Sequence, residues 1–481
     1  MAGFTEGVES IPHITERAKT GGALPLKYEF SRPFFLELTK EQFDTSKDHG
    51  QRLVLTPSNY SKMPWQAGYA EAINSGKSIY VNEDQASVHV SALCLHDSEK
   101  DTSITLPYVM FGIFDGHAGT GAATMATHNL HKHMKEKLNG IKHFLVQDSA
   151  EVIAEDDPGL GCITEPIPKE LLVIGALEEA FVVMDEQIRA ERNTYLIKGG
   201  CTAIVSLFLQ NKLYIANAGD CRAILLLDHC SRIHPLSTDF TPETDRQRLQ
   251  KLAYLQPQLL GRYFGRLEYQ RRLRKKDIGQ RVLYRDRQMT GWAYRTVNEE
   301  DVNQVPMIIG HGKRARLMAT IGTTRGFGDH DLEAPGGQFI KPLLTPVPEV
   351  RVWDLNSYEH QYDDILIVAS DGLWERLTNE EALEIVKELA EVTPRDDKYY
   401  TTIARELVLA ARGQFGKKGW RTAKEQSASC DDISCFVVPL HTYATSPSPG
   451  CLGEEDMMGG DSIDPVRYGS GADSNDIHSV Q

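Results

Sequence analysis

Three apolar runs, Thr202–Leu209, Leu213–Ala218 and Ala223–Leu227, are separated by gaps of only three and four residues. No crossover helix fits into such gaps, so the three runs must be antiparallel neighbours joined by tight turns. Tyr108–Phe114, Ile365–Ala369 and Ile433–Leu440 are further strand candidates. Several are apolar on both faces, as Val109, Phe111 and Ile113 alternate with Met110 and Phe114, which suits a sheet covered on both sides. Helical spacing occupies 119–138 (Ala122, Met125, Ala126, Leu130, Met134, Leu138) and 171–192 (Ile174, Leu177, Phe181, Met184, Ile188), with further helices expected at 379–391 and 400–412. Helices come in runs rather than alternating with strands, which predicts an α+β layering and not a doubly wound sheet.

Composition narrows the function. The 481 residues carry 52 basic and 67 acidic side chains, a net charge of −15, which argues against a dedicated nucleic-acid binder. No apolar run approaches the ~18 residues that span a bilayer. The eight cysteines are scattered without a Cys-x-x-Cys pair, so they offer no zinc-finger framework. The first thirty residues lack a signal-peptide core, and the expected compartment is the cytoplasm, with the nucleus as a second location. Residues 1–60 read as an N-terminal extension laid on a domain spanning 61–442. Residues 443–481, rich in Gly, Ser and acids, read as a disordered acidic tail.

Where the acids sit is the informative pattern. Phe111–Phe114 runs into Asp115-Gly116-His117, Ile365–Ala369 into Ser370-Asp371-Gly372, and Leu213–Ala218 into Gly219-Asp220. Glu83-Asp84 follows the apolar Ser78–Val81, and Asp431-Asp432 precedes Ile433. A lone Asp-Gly is a turn signal. Five acidic strand ends, one with a histidine attached, imply carboxylates that repel one another unless a cation sits among them. Hard divalent ions with oxygen ligands, Mg²⁺ or Mn²⁺, are the natural neutraliser, and glycine beside an acid lets a carbonyl approach as well. Two such ions would clamp a phosphoryl group and produce hydroxide near neutral pH, while a neighbouring histidine protonates the leaving oxygen.

These motifs, in order, resemble the metal-dependent protein serine/threonine phosphatases, the PPM or type 2C family, over about 65–440. The resemblance rests on Asn82-Glu83-Asp84, Phe114–Gly119, Gly199–Ala203, Asn217–Ala223, Thr324–Asp329, Ala369–Glu375 and Asp431–Ser434. Gly68–Glu71, Thr241–Thr244, Tyr284–Asp286 and Met289–Tyr294 are similar to the branch lettered H, J and M. The resemblance implies two stacked antiparallel β-sheets flanked by helices, an α-β-β-α sandwich with the metal site at one end. It further implies that Asp115 bridges two ions, with Glu83 and the Gly116 carbonyl completing one site and Asp371 and Asp431 the other. Asp220 and Glu375, with Asp371, would form a weaker third site. His117 would be the general acid, Asp84 and Thr202 supports, and Arg325 and Asp329 structural. Phosphorylated proteins are the implied partners.

The sequence departs from the family pattern at three places. Ile79 stands where a phosphate-binding arginine is common, and Lys77, on the same side of an extended segment, is the nearby cation. Glu375 and Asp432 replace a frequent Asp and Asn. A basic insertion at about 240–316 holds ten Lys/Arg against three acids within 262–287. It reads either as a solvated helix face or as a flap whose Arg271 and Arg272 attract substrate phosphate.

Three other readings are open to the sequence. Gly76-Lys77-Ser78 is not a nucleotide loop, because the glycine required five residues earlier is Glu71. His128, His131 and His133 on one helix read as solvated rather than as a zinc site. The remaining alternative is a non-catalytic phosphoprotein-binding protein on the same fold, which Ile79 and Glu375 favour and the intact acids oppose.

Overall fold

The computed structural model describes residues 27–28, 30–73, 81–97, 102–146 and 167–445. Lys77 and Ile79 lie outside the described residues, as does the tail beyond 445. The sandwich is built from β1 (Val54–Leu55), β2 (Gly68–Ala72), β3 (Gln85–Asp97), β4 (Thr102–His117), β5 (Gly200–Leu209), β6 (Lys212–Ala218), β7 (Arg222–Leu227), β8 (Arg232–Pro235), β9 (Glu349–Asp354), β10 (Ile365–Ala369) and β11 (Ile433–Pro439), with the short Phe327–Gly328 paired to β5. One sheet runs β1-β2-β11-β10-β7-β8 and the other β9-β6-β5-β4-β3. All these neighbours pair antiparallel.

Helices α1 (Gly121–Val146) and α2 (Lys169–Tyr195) cover the second sheet, and α4 (Asn379–Val392) and α5 (Tyr399–Arg412) the first, the short α3 (Asp371–Trp374) preceding them. Strand alternation sorts side chains between the layers. Val109, Phe111 and Ile113 of β4 face the other sheet with Leu366, Val368, Phe436 and Val438. Met110 and Phe114 turn to α1 and α2 beside Leu130 and Phe181, while Ile367 and Val437 meet Ile403 and Leu407 of α5. The chain is therefore the four-layer α+β sandwich, its strands apolar on both faces because each sheet is buried twice.

Several boundaries differ from the sequence reading. The apolar-run criterion passes over β3, because Ser87, His89 and Ser91 alternate with Ala86, Val88 and Val90, although the strand pairs with β4 over its whole length. Residues 30–60 are more than an extension. They supply β1 to a sheet edge, and Phe35, Leu36 and Leu55 to the core between the sheets. Tyr443, assigned by composition to the tail, is also a core residue, packed edge-on to Trp65 with ring centroids 5.3 Å apart.

The three histidines of α1 are not solvated. His131 stacks on His89 at 3.7 Å and His128 on Tyr28 at 4.2 Å, while His133 meets Gln187 of α2 at 2.7 Å. The basic segment 262–287 forms no solvated helix face either. It contributes Glu268–Tyr269 and Arg281–Arg285 to a small antiparallel sheet that Ala293–Thr296 completes.

Candidate active site

Antiparallel pairing gathers the acids. In such a pair the end of one strand lies beside the start of the next, so the C-terminal end of β4 meets the N-terminal end of β3, and that of β10 meets the start of β11. Gln85 is opposite Phe114, Asp115 opposite Thr202, and Ala369 opposite Cys435. Strand β6, antiparallel to β5, sends Asp220 toward the same end as Asp115. Two glycines permit the close approach. A Cβ on Gly116 would sit 2.4 Å from the Glu83 carbonyl oxygen, and one on Gly372 only 1.9 Å from that of Asp432.

Hydrogen bonds tie the two sheets together at this end. The Glu83 amide donates to Asp432 Oδ2 at 2.8 Å, and the Gly119 amide donates to Glu83 Oε1 at 2.7 Å. Ser370 Oγ donates to Asp84 Oδ2 at 2.8 Å and accepts from the Ser434 amide at 3.0 Å. Beneath them Arg32 forms a fully buried bidentate pair with Glu71 (2.6 and 2.7 Å) and donates to the Asp84 carbonyl at 2.7 Å. Removing one partner of such a pair leaves an uncompensated buried charge and costs ~3–5 kcal/mol.

The electrostatics are those of massed like charge. Burial, then Asp371, Asp84, Asp431 and Asp220, push the Asp115 carboxyl well above its ordinary range. Burial and Asp432 do the same to Asp84, and burial with Asp239 raises Asp220 to about 6. Carboxylate oxygens of Asp371, Glu375 and Asp431 lie within 4.8 Å of one another. His117 Nε2 sits 2.8 Å from Asp329 Oδ2. Burial works against the imidazolium, but the hydrogen bond and charge of Asp329, with Asp220 and Glu83, hold its pKa above the usual value.

The protein phosphatase 2C family profile matches residues 81–414. Protein phosphatase 1H of Xenopus tropicalis is 42% identical over 502 residues, covering 92% of this chain and 96% of that protein. Human protein phosphatase 1H is 42% identical over 87% of this chain and 93% of its own length. Human protein phosphatase 1J is 43% identical, with 88% and 89% covered. The chain belongs to the protein phosphatase 2C family. It is a metal-dependent protein serine/threonine phosphatase.

The site fits the metal on which that family depends. The donors are all oxygens, as hard cations require, and the charges that bear most on Asp115 are themselves negative. Glu83, Asp115, Gly116, Asp371 and Asp431 occupy one end of the sandwich, with His117 beside Asp220 and Glu83. Glu375 is grouped with Asp371 and Asp431, while Asp220 lies nearer Asp239 and His117.

The insertion arginines are not drawn to this end. Arg271 forms two 2.8 Å bonds to Asp277. Among the described residues neither Arg271 nor Arg272 has an ion pair or hydrogen bond with the acidic cluster.

Three contributors escaped the sequence reading. Arg32 stands in a segment with no periodicity to mark it. Asp329, read as structural, holds the His117 ring; its motif was visible but its partner was not. Lys313 donates to the Trp374 carbonyl at 3.4 Å from the far end of the insertion.

Proposed function

We propose that this phosphatase hydrolyses phosphoserine and phosphothreonine in proteins with two Mg²⁺ or Mn²⁺ ions, by direct attack of water and without a covalent enzyme intermediate. Glu83, Asp115 and the Gly116 carbonyl would hold one ion, Asp115, Asp371 and Asp431 the other, and Asp220 and Glu375 with Asp371 a weaker third. Bound there, the ions lower the pKa of a water and neutralise the phosphoryl oxygens. The chain's own part is proton management and orientation. His117, kept protonated by Asp329, gives its proton to the departing serine or threonine oxygen. Asp84 fixes Ser370, and through it the turn carrying Asp371.

The observation that carries this reading is the crowding of Asp115 by four other carboxylates, a charge density that a divalent cation relieves. The test is turnover of a phosphothreonine protein with Mn²⁺ or Mg²⁺, before and after EDTA. Activity should vanish with chelation and return with metal. Absence of chelator-sensitive turnover would favour the phosphoprotein-binding alternative.

A further inference from the structure

We infer that Lys313 is a substrate-binding residue whose ammonium meets the phosphate of the incoming phosphoserine or phosphothreonine at the edge of the acidic end; this rests on the phosphatase reading above. Lys313 lies on the single turn Gly312–Arg314, and that turn is pinned from both sides. Glu243 accepts from the Gly312 amide at 2.7 Å and meets the His311 ring at 3.2 Å, while Arg316 donates to the Lys313 carbonyl at 2.9 Å. The side chain then reaches α3, where Nζ donates to the Trp374 carbonyl at 3.4 Å, in the attractive field of Glu375 and Asp371.

Several other cations among the described residues near this end are committed. Arg222 grips Asp239 at 2.5 Å and Asn379 at 2.8 Å, and Arg376 faces Glu375 at 3.7 Å. Within the insertion, Arg285 is held by Glu268, Arg266 by Asp286 and Arg271 by Asp277. Among the described residues Lys313 Nζ makes one long bond, to a neutral carbonyl, although an ammonium has three donors. A phosphate dianion approaching a rim of carboxylates meets repulsion until a cation offsets it. A partly desolvated ammonium with protons to spare, on a pinned turn, supplies that offset as a charge-assisted hydrogen bond.

The experiment compares the full-length, Mg²⁺-loaded protein with its Lys313→Met and Lys313→Arg variants. One substrate is a phosphothreonine peptide, and the other is para-nitrophenyl phosphate, in which the phosphate is the main anchor. Lys313→Met should raise KM ~5–10-fold on both, with kcat changed less than ~2-fold, and Lys313→Arg should restore most of the loss. In a His117→Gln background, anisotropy should show the phosphorylated peptide weakened by the same factor and the unphosphorylated peptide unmoved.

Unchanged KM on both substrates overturns the proposal. So does a loss confined to the peptide, or equal weakening of both peptides, since either would make Lys313 a contact to the peptide rather than to phosphate. If the Met variant melts lower, the Arg variant and the ratio between the two peptides decide. Wild-type turnover insensitive to EDTA would strike the phosphatase reading itself, whereas chelator-sensitive turnover that Lys313→Met leaves intact strikes only this inference.

Discussion

At the acidic end, Asp84, Asp115 and Asp220 carry carboxyls pushed upward, by burial first and then by neighbouring carboxylates, whereas in the insertion Asp277 is drawn down to about 2 by its bonds with Arg271. Both regions are dense in charge. In the insertion all three acids of 262–287 are held by cations of the same stretch, Asp277 by Arg271, Glu268 by Arg285, and Asp286 by Arg266 and Arg287. At the rim the charges that bear most on Asp115 have its own sign. Matched charge holds a fold together; massed charge of one sign has to be relieved by something that binds. Of the ten cations in 262–287, four are spent on the three acids there, Arg271 among them.

The comparison is most exposed at Asp115. Asp115→Asn should lower kcat/KM on a phosphopeptide by ~10³-fold or more, the equivalent of several kcal/mol of metal-supplied stabilisation. In EDTA the same variant should melt higher than wild type. The folded pKa of Asp115 lies above its unfolded value, so stability is lost as pH rises between the two, and an uncharged amide escapes that loss. A lower melting temperature in EDTA would break the contrast.

A smaller effect tests how Asp329 sets the acid. In the proposed role His117 has to be protonated, and Asp329 raises its pKa, so kcat should decline as pH rises through that raised value. Asp329→Asn should shift the decline to lower pH and reduce kcat at the upper end of the profile ~10-fold. A decline at unchanged pH would separate Asp329 from the proton.

The smallest effect is expected in the insertion. Arg271→Gln should leave kcat/KM on a phosphoprotein within ~2-fold of wild type and its salt dependence unaltered, because the guanidinium is already spent on Asp277. A clear loss would mean that the pair opens to substrate.

Much of this architecture is legible in the chain. Strands β5, β6 and β7 follow from apolar runs and short gaps, and the acids follow those runs immediately in sequence. The positions of Glu83, Asp115, Asp371 and Asp431 could be named from their neighbours. The contacts that tune the site could not. Arg32 finds Glu71 across 39 residues, Lys313 finds Trp374 across 61, and His117 finds Asp329 across 212. None of these pairs shares an element or a period, so no local pattern marks them. Strand β3 escaped for a different reason: its polar alternation resembles a loop until a partner strand buries it.

Sequence alone determined that short-linked apolar strands run antiparallel and end in glycine-flanked acids, because covalent spacing and side-chain alternation are local properties. Tertiary structure decided which charges are cancelled and which are left to a ligand. Coulomb energy depends on distance and burial, so Asp277 beside Arg271 and Asp115 beside Asp371 take opposite fates although both are aspartates.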